Sequence, residues 1–209
     1  MGLAQTASYY YTIDEYLDLE RDAEERHEYL DGTIYTMAGE SLAHSDICIN
    51  LAVTLGTQLK GRDCRATSPN MKVRSGPYIK QQRTTKGLYS YPDLAIVCGE
   101  PQFQDEHKDI LLNPTVIIEV LSPSTEAFDR REKLPRYRAQ LPTLRDYLLV
   151  AQDQPAIEHF HLNEAGYWQH TVVIGLDASL CLESIDCALN LNELYDRVKF
   201  PEEEAETDD

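Results

Sequence analysis

Asp93, Glu119 and Lys133 are the residues whose types and spacing best suit chemistry. Thr115-Val-Ile-Ile-Glu-Val-Leu121 reads as a buried strand with a carboxylate in its middle, and Tyr91-Pro-Asp-Leu-Ala-Ile-Val97 reads as an upstream strand that opens on an aspartate. An ionised carboxylate among Ile117, Ile118, Val120 and Leu121 is costly unless a cation or strong donors compensate it, so stability alone does not select Glu119. Alternation puts Glu119 on the face of Ile117 and Leu121, and Asp93 on the face of Ala95 and Val97. If the two strands are neighbours, the carboxylates meet at a sheet end. Such a pair suits a hard dication such as Mg²⁺, which takes one or two carboxylates and completes its shell with water and phosphate. Asp129, Lys133 and Tyr137 recur every fourth residue, on one face of a helix that starts just after the Glu119 strand. A carboxylate pair with a nearby ammonium is the minimum for metal-assisted phosphodiester hydrolysis. There the metal lowers the pKa of a bound water, and the lysine orients the hydroxide or stabilises charge on the phosphorane. The competing reading of Lys133 is a surface pair with Asp129, worth roughly a few tenths of a kcal/mol.

The elements that must position these residues are legible from pattern. Thr12-Ile-Asp-Glu15 is a capping box that starts a helix running from Ile13 to about Glu24. Asp31-Gly32 joins two strands, His27 to Leu30 and Thr33 to Met37, as a hairpin. Ile47, Leu51, Leu55 and Leu59 mark one face of a helix over Ser41 to Lys60, stopped by Gly61. Cys64 to Val73 reads as one strand, and Ser75 to Ser90 as a polar loop with too few apolar residues for a core element. The strands at 91–98 and 115–121 follow. Ser122-Pro-Ser-Thr125 then caps a helix over Glu126 to Gln140, which Pro135 should kink. Asp146 to Ala151, Ile157 to Leu162 and Tyr167 to Ile174 read as further strands. This order predicts a mixed α/β or α+β domain around one central sheet, spanning residues 12–198 between a flexible start (1–11) and an acidic disordered tail (199–209).

Composition narrows the function classes. The chain has 209 residues, 42% of them hydrophobic, enough for one sizeable core. No run of about 18 apolar residues exists, and the first eleven residues lack the regions of a signal peptide, which predicts a soluble cytoplasmic protein with no membrane partner. Met1-Gly-Leu-Ala-Gln-Thr6 formally fits a myristoylation pattern, but that pattern is too permissive to outweigh a disordered start. Five cysteines, odd in number and without a C-x-x-C pair, read as buried reduced thiols. His159 and His161 on one strand, with His170 on the next, could ligate a metal, but no fourth ligand stands out and ordinary hairpin histidines are the favoured reading.

A net charge of −17 as a whole disfavours nucleic acid. Its distribution does not. Pro201 to Asp209 carries six acids and no base, and without them the body stands at −11. Lys60 to Lys86 holds eight bases against Asp63 alone, and Arg130, Arg131, Lys133, Arg136 and Arg138 add five more. Thirteen of the 19 bases therefore flank the two carboxylate strands, either as a basic rim around a metal site or as a solvated loop and helix face.

Pro92-Asp93, Glu119-Val120, Ser122-Pro-Ser-Thr125, Asp129-Arg-Arg-Glu-Lys133 with Tyr137, and Leu144-Arg-Asp-Tyr-Leu-Leu-Val150 together form a specific pattern. It resembles a cyanobacteria-rich family of unknown cellular role, often labelled "putative restriction endonuclease", within the PD-(D/E)XK nuclease superfamily. Glu28-Tyr-Leu-Asp-Gly32, Met37, and His44 with Ile47 and Leu51 extend the resemblance to about residues 12–162. It implies a restriction-endonuclease-like core, a mixed central sheet flanked by helices. It also implies Mg²⁺ or Mn²⁺ held by Asp93, Glu119 and the backbone carbonyl of Val120, with Glu28 as an additional acid. The superfamily's usual E-x-K lysine would fall at Leu121, so Lys133 from the following helix is the candidate. His44 is a further candidate, and Lys72, Arg74, Arg130 and Arg131 are the expected nucleic-acid rim.

The leading expectation is a metal-dependent endonuclease acting on DNA as a homodimer, since a two-fold enzyme can cut both strands. The alternatives are a catalytically inactive nuclease-fold module that binds nucleic acid or a partner, and a hydrolase of small phosphoesters. A glycosidase pair fits less well, because its acids flank a sugar from opposite sides.

Overall fold

The computed structural model describes residues 10–37, 39–79 and 83–201. The myristoylation pattern, Lys80 and most of the expected flexible start and acidic tail lie outside the described residues.

Local rules place the first elements. At the start of α1 (Ile13–Asp22) the Thr12 hydroxyl accepts from the Glu15 N–H, and the Glu15 carboxylate accepts from the Thr12 N–H, closing the expected capping box. β1 (His27–Leu30) and β2 (Thr33–Thr36) turn at Asp31 and Gly32, whose φ values of 47° and 99° are the left-handed pair that a type I′ turn requires. α2 (Leu42–Gln58) is capped by Ser41 and buries Ile47, Leu51 and Leu55.

The main sheet is mixed. From edge to edge it runs β11 (Trp168–Ile174), β10 (Ala156–Leu162), β9 (Asp146–Val150), β8 (Val116–Val120), β6 (Leu94–Cys98) and β3 (Cys64–Thr67). β8 and β9 are parallel and the other neighbours antiparallel. The crossover between the parallel strands is helical, made of α3 (Glu126–Phe128), a π-helical turn (Asp129–Lys133) and α4 (Leu134–Gln140). One face of the sheet packs on α2, on the hairpin β12 (Ser179–Leu182) and β13 (Cys187–Asn190), and on α5 (Leu191–Leu194). The other face packs Ala95, Val97, Ile117, Tyr147 and Leu149 against Leu134 and Tyr137 of the crossover.

A second sheet accompanies the expected central one, in the order β2, β1, β5 (Leu88–Ser90), β4 (Lys72–Ser75) and β7 (Ile110–Leu111). Two sequence expectations change with it. Cys64 to Val73 is not one strand: it turns at Ser68 to Met71, so β3 and β4 enter different sheets. The stretch Ser75 to Ser90 is not wholly loop. Its end forms β5, fully buried because it is hydrogen-bonded on both sides, to β1 and to β4. The elements after Ile174 carried no expectation, and they complete the α2 side of the core.

The cysteines correct another expectation. Cys64 and Cys98 face each other across β3 and β6 and are joined by a disulfide. Of the remaining three, Cys187 is buried, Cys48 half-buried and Cys181 exposed. Among the described residues no helix is long and apolar enough to cross a membrane.

Candidate active site

The antiparallel register of β6 and β8 sets Leu94 against Ile118, which brings Asp93, one residue before β6, level with Glu119. Asp93 Oδ2 accepts the Val120 N–H at 2.7 Å, and Oδ1 lies 3.1 Å from His44 Nε2. Asp93 therefore locks the end of β6 to the end of β8, and α2 reaches the same place through His44.

Glu119 stands on the other side of that junction, only 3% exposed. Its Oε1 lies 3.2 Å from Lys133 Nζ, and the same ammonium lies 3.0 Å from Glu28 Oε1 and 3.0 Å from Asp129 Oδ1. Three elements thus converge on one nitrogen: β1, β8 and the crossover. Glu28 is steadied by the Tyr91 N–H at 3.1 Å. Asp129 and Lys133 form the i,i+4 pair that their spacing suggests, but the pair is buried, which excludes the surface reading.

The crossover achieves this by departing from α geometry. Leu134 N–H donates to the Asp129 carbonyl, five residues back, and Pro135 follows with no N–H to give. Pro135 falls in the first turn of α4, and the wider π turn before it has both Asp129 and Lys133 buried. Tyr137, one turn further, hydrogen-bonds Ser90 of β5 at 2.5 Å and fixes the crossover against the second sheet. Ser122, not Thr125, makes the turn that opens the crossover, accepting from the Thr125 N–H.

The electrostatics follow from this crowding. Burial pushes the Glu119 carboxyl up. Lys133 pulls it back, Asp129, Asp93 and Glu28 push it up again, and the result is well above the usual carboxylate range. Burial alone would drive the Lys133 pKa down, but Glu119, Glu28 and Asp129 reverse this and hold it above its ordinary value. The His44 imidazole loses by burial and gains more from its bond to Asp93, so its pKa is raised. Three carboxylates, Glu28, Glu119 and Asp129, share one ammonium, leaving a formal charge of −2 when all are ionised, while Asp93 pairs with His44 beside them.

That donor set fits a hard dication in type and in charge. Asp93, Glu119 and the Val120 carbonyl at the end of β8 would hold it, with Glu28 alongside. In the described arrangement Glu28 and Glu119 turn to Lys133, and the acids of this site are not among the groups of three whose donor atoms lie within 4.8 Å of one another. One such group does border the site: Glu40, His44 and Cys48. Its spacing of four residues was visible in the chain, but Glu40 carried no expectation and Cys48 only that of a buried reduced thiol.

The expected rim is only partly present. Arg131 is exposed on the π turn beside Lys133. Arg130 is engaged by Glu126 and Glu158, and Arg74 by Gln104. Lys72 does not belong to a rim at all. It is buried, 3.3 Å from Asp109 and over the Tyr91 ring.

Several known proteins are similar to this chain. A protein of Synechocystis sp. (strain ATCC 27184 / PCC 6803 / Kazusa), "Uncharacterized protein slr1290", is 34% identical over 189 residues, covering 90% of this chain and 92% of the relative. A second from the same organism, "Uncharacterized protein sll1609", is 31% identical over 169 residues, covering 81% and 90%. The crystal structure of "a putative nuclease belonging to DUF820" from Anabaena variabilis ATCC 29413 superposes with a TM-score of 0.72 at 18% identity, over 90% of this chain and 99% of that one. The mixed sheet with its helical crossover is therefore the fold of that protein. Residues 13–192 match the model of the family described as "Uma2: Putative restriction endonuclease", and with the two relatives this makes the chain a member of the Uma2 family.

Proposed function

We propose that the protein is a divalent-metal-dependent nuclease that hydrolyses phosphodiester bonds in DNA. The observation that carries this reading is the excess of buried carboxylate around Lys133, at the ends of two adjacent strands, which a single ammonium does not neutralise. Mg²⁺ or Mn²⁺ bound by Asp93, Glu119 and the Val120 carbonyl would supply a Lewis acid and a water of lowered pKa. The chain's own residues do the rest. His44 and the Val120 N–H hold the Asp93 carboxylate in one orientation. Lys133, kept charged by three acids, orients the attacking oxygen and meets negative charge as it builds on phosphorus. Arg131 presents a base for the phosphate backbone next to that lysine. Assembly as a homodimer through the strand-rich second half completes the proposal. β11 is an edge of the main sheet, and it exposes Val172 and Ile174.

One observation favours a second reading. The Lys133 ammonium already occupies Glu28 and Glu119, as a permanent internal cation would in a nuclease-fold protein that binds without turnover. Cleavage of single-stranded DNA, double-stranded DNA and RNA with Mg²⁺ or Mn²⁺, comparing the native chain with Glu119→Ala, separates the two. Metal-dependent cleavage lost in the variant supports the nuclease. Absence of cleavage by the native chain, with nucleic acid still bound, transfers the assignment to the binding module.

A further inference from the structure

Asp146 is the most completely buried carboxylate described, with no exposed surface, and it lies away from the site above. It pairs with Val116 in the parallel β8–β9 register, at the opposite end of β8 from Glu119. It also shares the opposite face, that of Leu148 and Val150. Three side chains close on it. His159 Nε2 lies 2.6 Å and His161 Nδ1 2.7 Å from Oδ1, and the Ser184 hydroxyl donates to Oδ2. His170, the third histidine of the hairpin, turns instead to Glu158.

A carboxylate this deep requires positive charge nearby. Among the described residues, its ion-pair partners are the two imidazoles, neither of which is an obligate cation as lysine and arginine are. The donor atoms of Asp146, His159 and His161 lie within 4.8 Å of one another. Two imidazole nitrogens and one carboxylate oxygen are the ligand types of zinc, and they are too nitrogen-rich for Mg²⁺.

We propose that Asp146, His159 and His161 form a metal centre for a zinc-type transition dication, separate from the carboxylate site. His159 and Asp146 are held from β10 and β9, and His161 stands directly opposite Asp146 in the antiparallel register. Binding puts the ion where ring protons lie between His159 Nε2, His161 Nδ1 and Oδ1: a neutral imidazole then carries its proton on the other ring nitrogen, and a charged one releases a proton to water. Zinc ligands sit about 2.0–2.1 Å from the metal, so each nitrogen-to-oxygen separation opens to roughly 3.3 Å. Ser184, from the 3₁₀ turn Glu183–Ile185, is a positioning residue that holds the second carboxylate oxygen. The partly exposed His161 side leaves the fourth coordination position to water. The ion thereby ties β9 and β10 together, next to the turn that leads into β13.

The test uses the full chain after chelation and dialysis. Zinc is titrated calorimetrically in excess Mg²⁺, and Co²⁺ is used as a spectroscopic reporter of a nitrogen-rich tetrahedral site. One zinc ion per chain is expected, with a rise in Tm and visible Co²⁺ bands. His161→Ala, with His161→Gln in reserve should the first fail to fold by circular dichroism, should weaken zinc by more than about 100-fold and abolish the bands. His44→Ala should retain both, which excludes the Glu40, His44 and Cys48 group as the source. The proposal is overturned if the native chain binds no zinc below about 10 µM, or if His161→Ala binds as the native chain does. Neither result depends on whether the chain cleaves DNA.

Discussion

Glu119 and Asp146 are both buried acids, on neighbouring strands of one sheet, yet their protons are held in opposite ways. Burial raises both. At Glu119 the single ammonium is shared with Glu28 and Asp129, so the acids outnumber the donor and the carboxyl ends well above its usual range. At Asp146 the hydrogen bonds from His159, Ser184 and His161 outweigh burial and the carboxyl ends below it. Depth alone therefore does not decide the ionisation of a buried acid. The ratio of donors to competing acids does.

The largest expected effect separates the two acids by function: Glu119→Ala should lower metal-dependent cleavage by about a thousandfold, while Asp146→Asn lowers it little. Equal losses in a gel assay would mean that the two positions do not differ in role. Next, Lys133→Met should cost about 3–5 kcal/mol in urea unfolding at pH 8, because three acids lose their shared cation. Adding Glu119→Gln should recover part of that loss; a double variant no more stable than Lys133→Met would contradict the shared-charge account.

The pH dependence sharpens the comparison in the chelated protein. The folded Glu119 keeps a proton that the unfolded chain releases near pH 4.3, roughly, so its contribution to stability falls as pH rises from there through the raised folded value. The depressed Asp146 behaves in the opposite sense. Its contribution is complete above roughly pH 3.9 and is lost as pH falls through the lower folded value. Unfolding free energies against pH for Glu119→Gln and Asp146→Asn should therefore diverge from the native curve in opposite directions. The smallest expected effect is Ser184→Ala, about 1–2 kcal/mol, since one of three bonds to a charged group is removed.

How far the sequence reveals this site depends on how local each contribution is. Glu119 is legible because a carboxylate among β-branched residues contradicts its surroundings, and Lys133 because helical spacing puts it on the face of Asp129. The capping box and the Asp31-Gly32 hairpin are legible because each is settled within four residues. β5 is not: Leu88 to Ser90 has no periodicity to read, and its burial comes from strands that lie far away in the chain on either side. The Cys64–Cys98 bond spans 34 residues and depends on a register no cysteine count contains. Asp146 likewise reads as one polar residue opening a strand until β10 folds back and sets His161 opposite it. Lys72 misleads for the same reason, since its basic neighbours in sequence do not share its burial.

The helix that brings His44 to the site is fastened from a distant part of the chain. Asn50 bonds the carbonyls of Leu194 and Asp196, Gln58 bonds Ala188 in both directions, and Arg62 just beyond the helix bonds the carbonyls of Ile185 and Asp186. During synthesis these partners emerge from the ribosome more than a hundred residues after α2. A nascent chain therefore holds both of its carboxylate strands before it holds the residues that clamp the helix steadying Asp93.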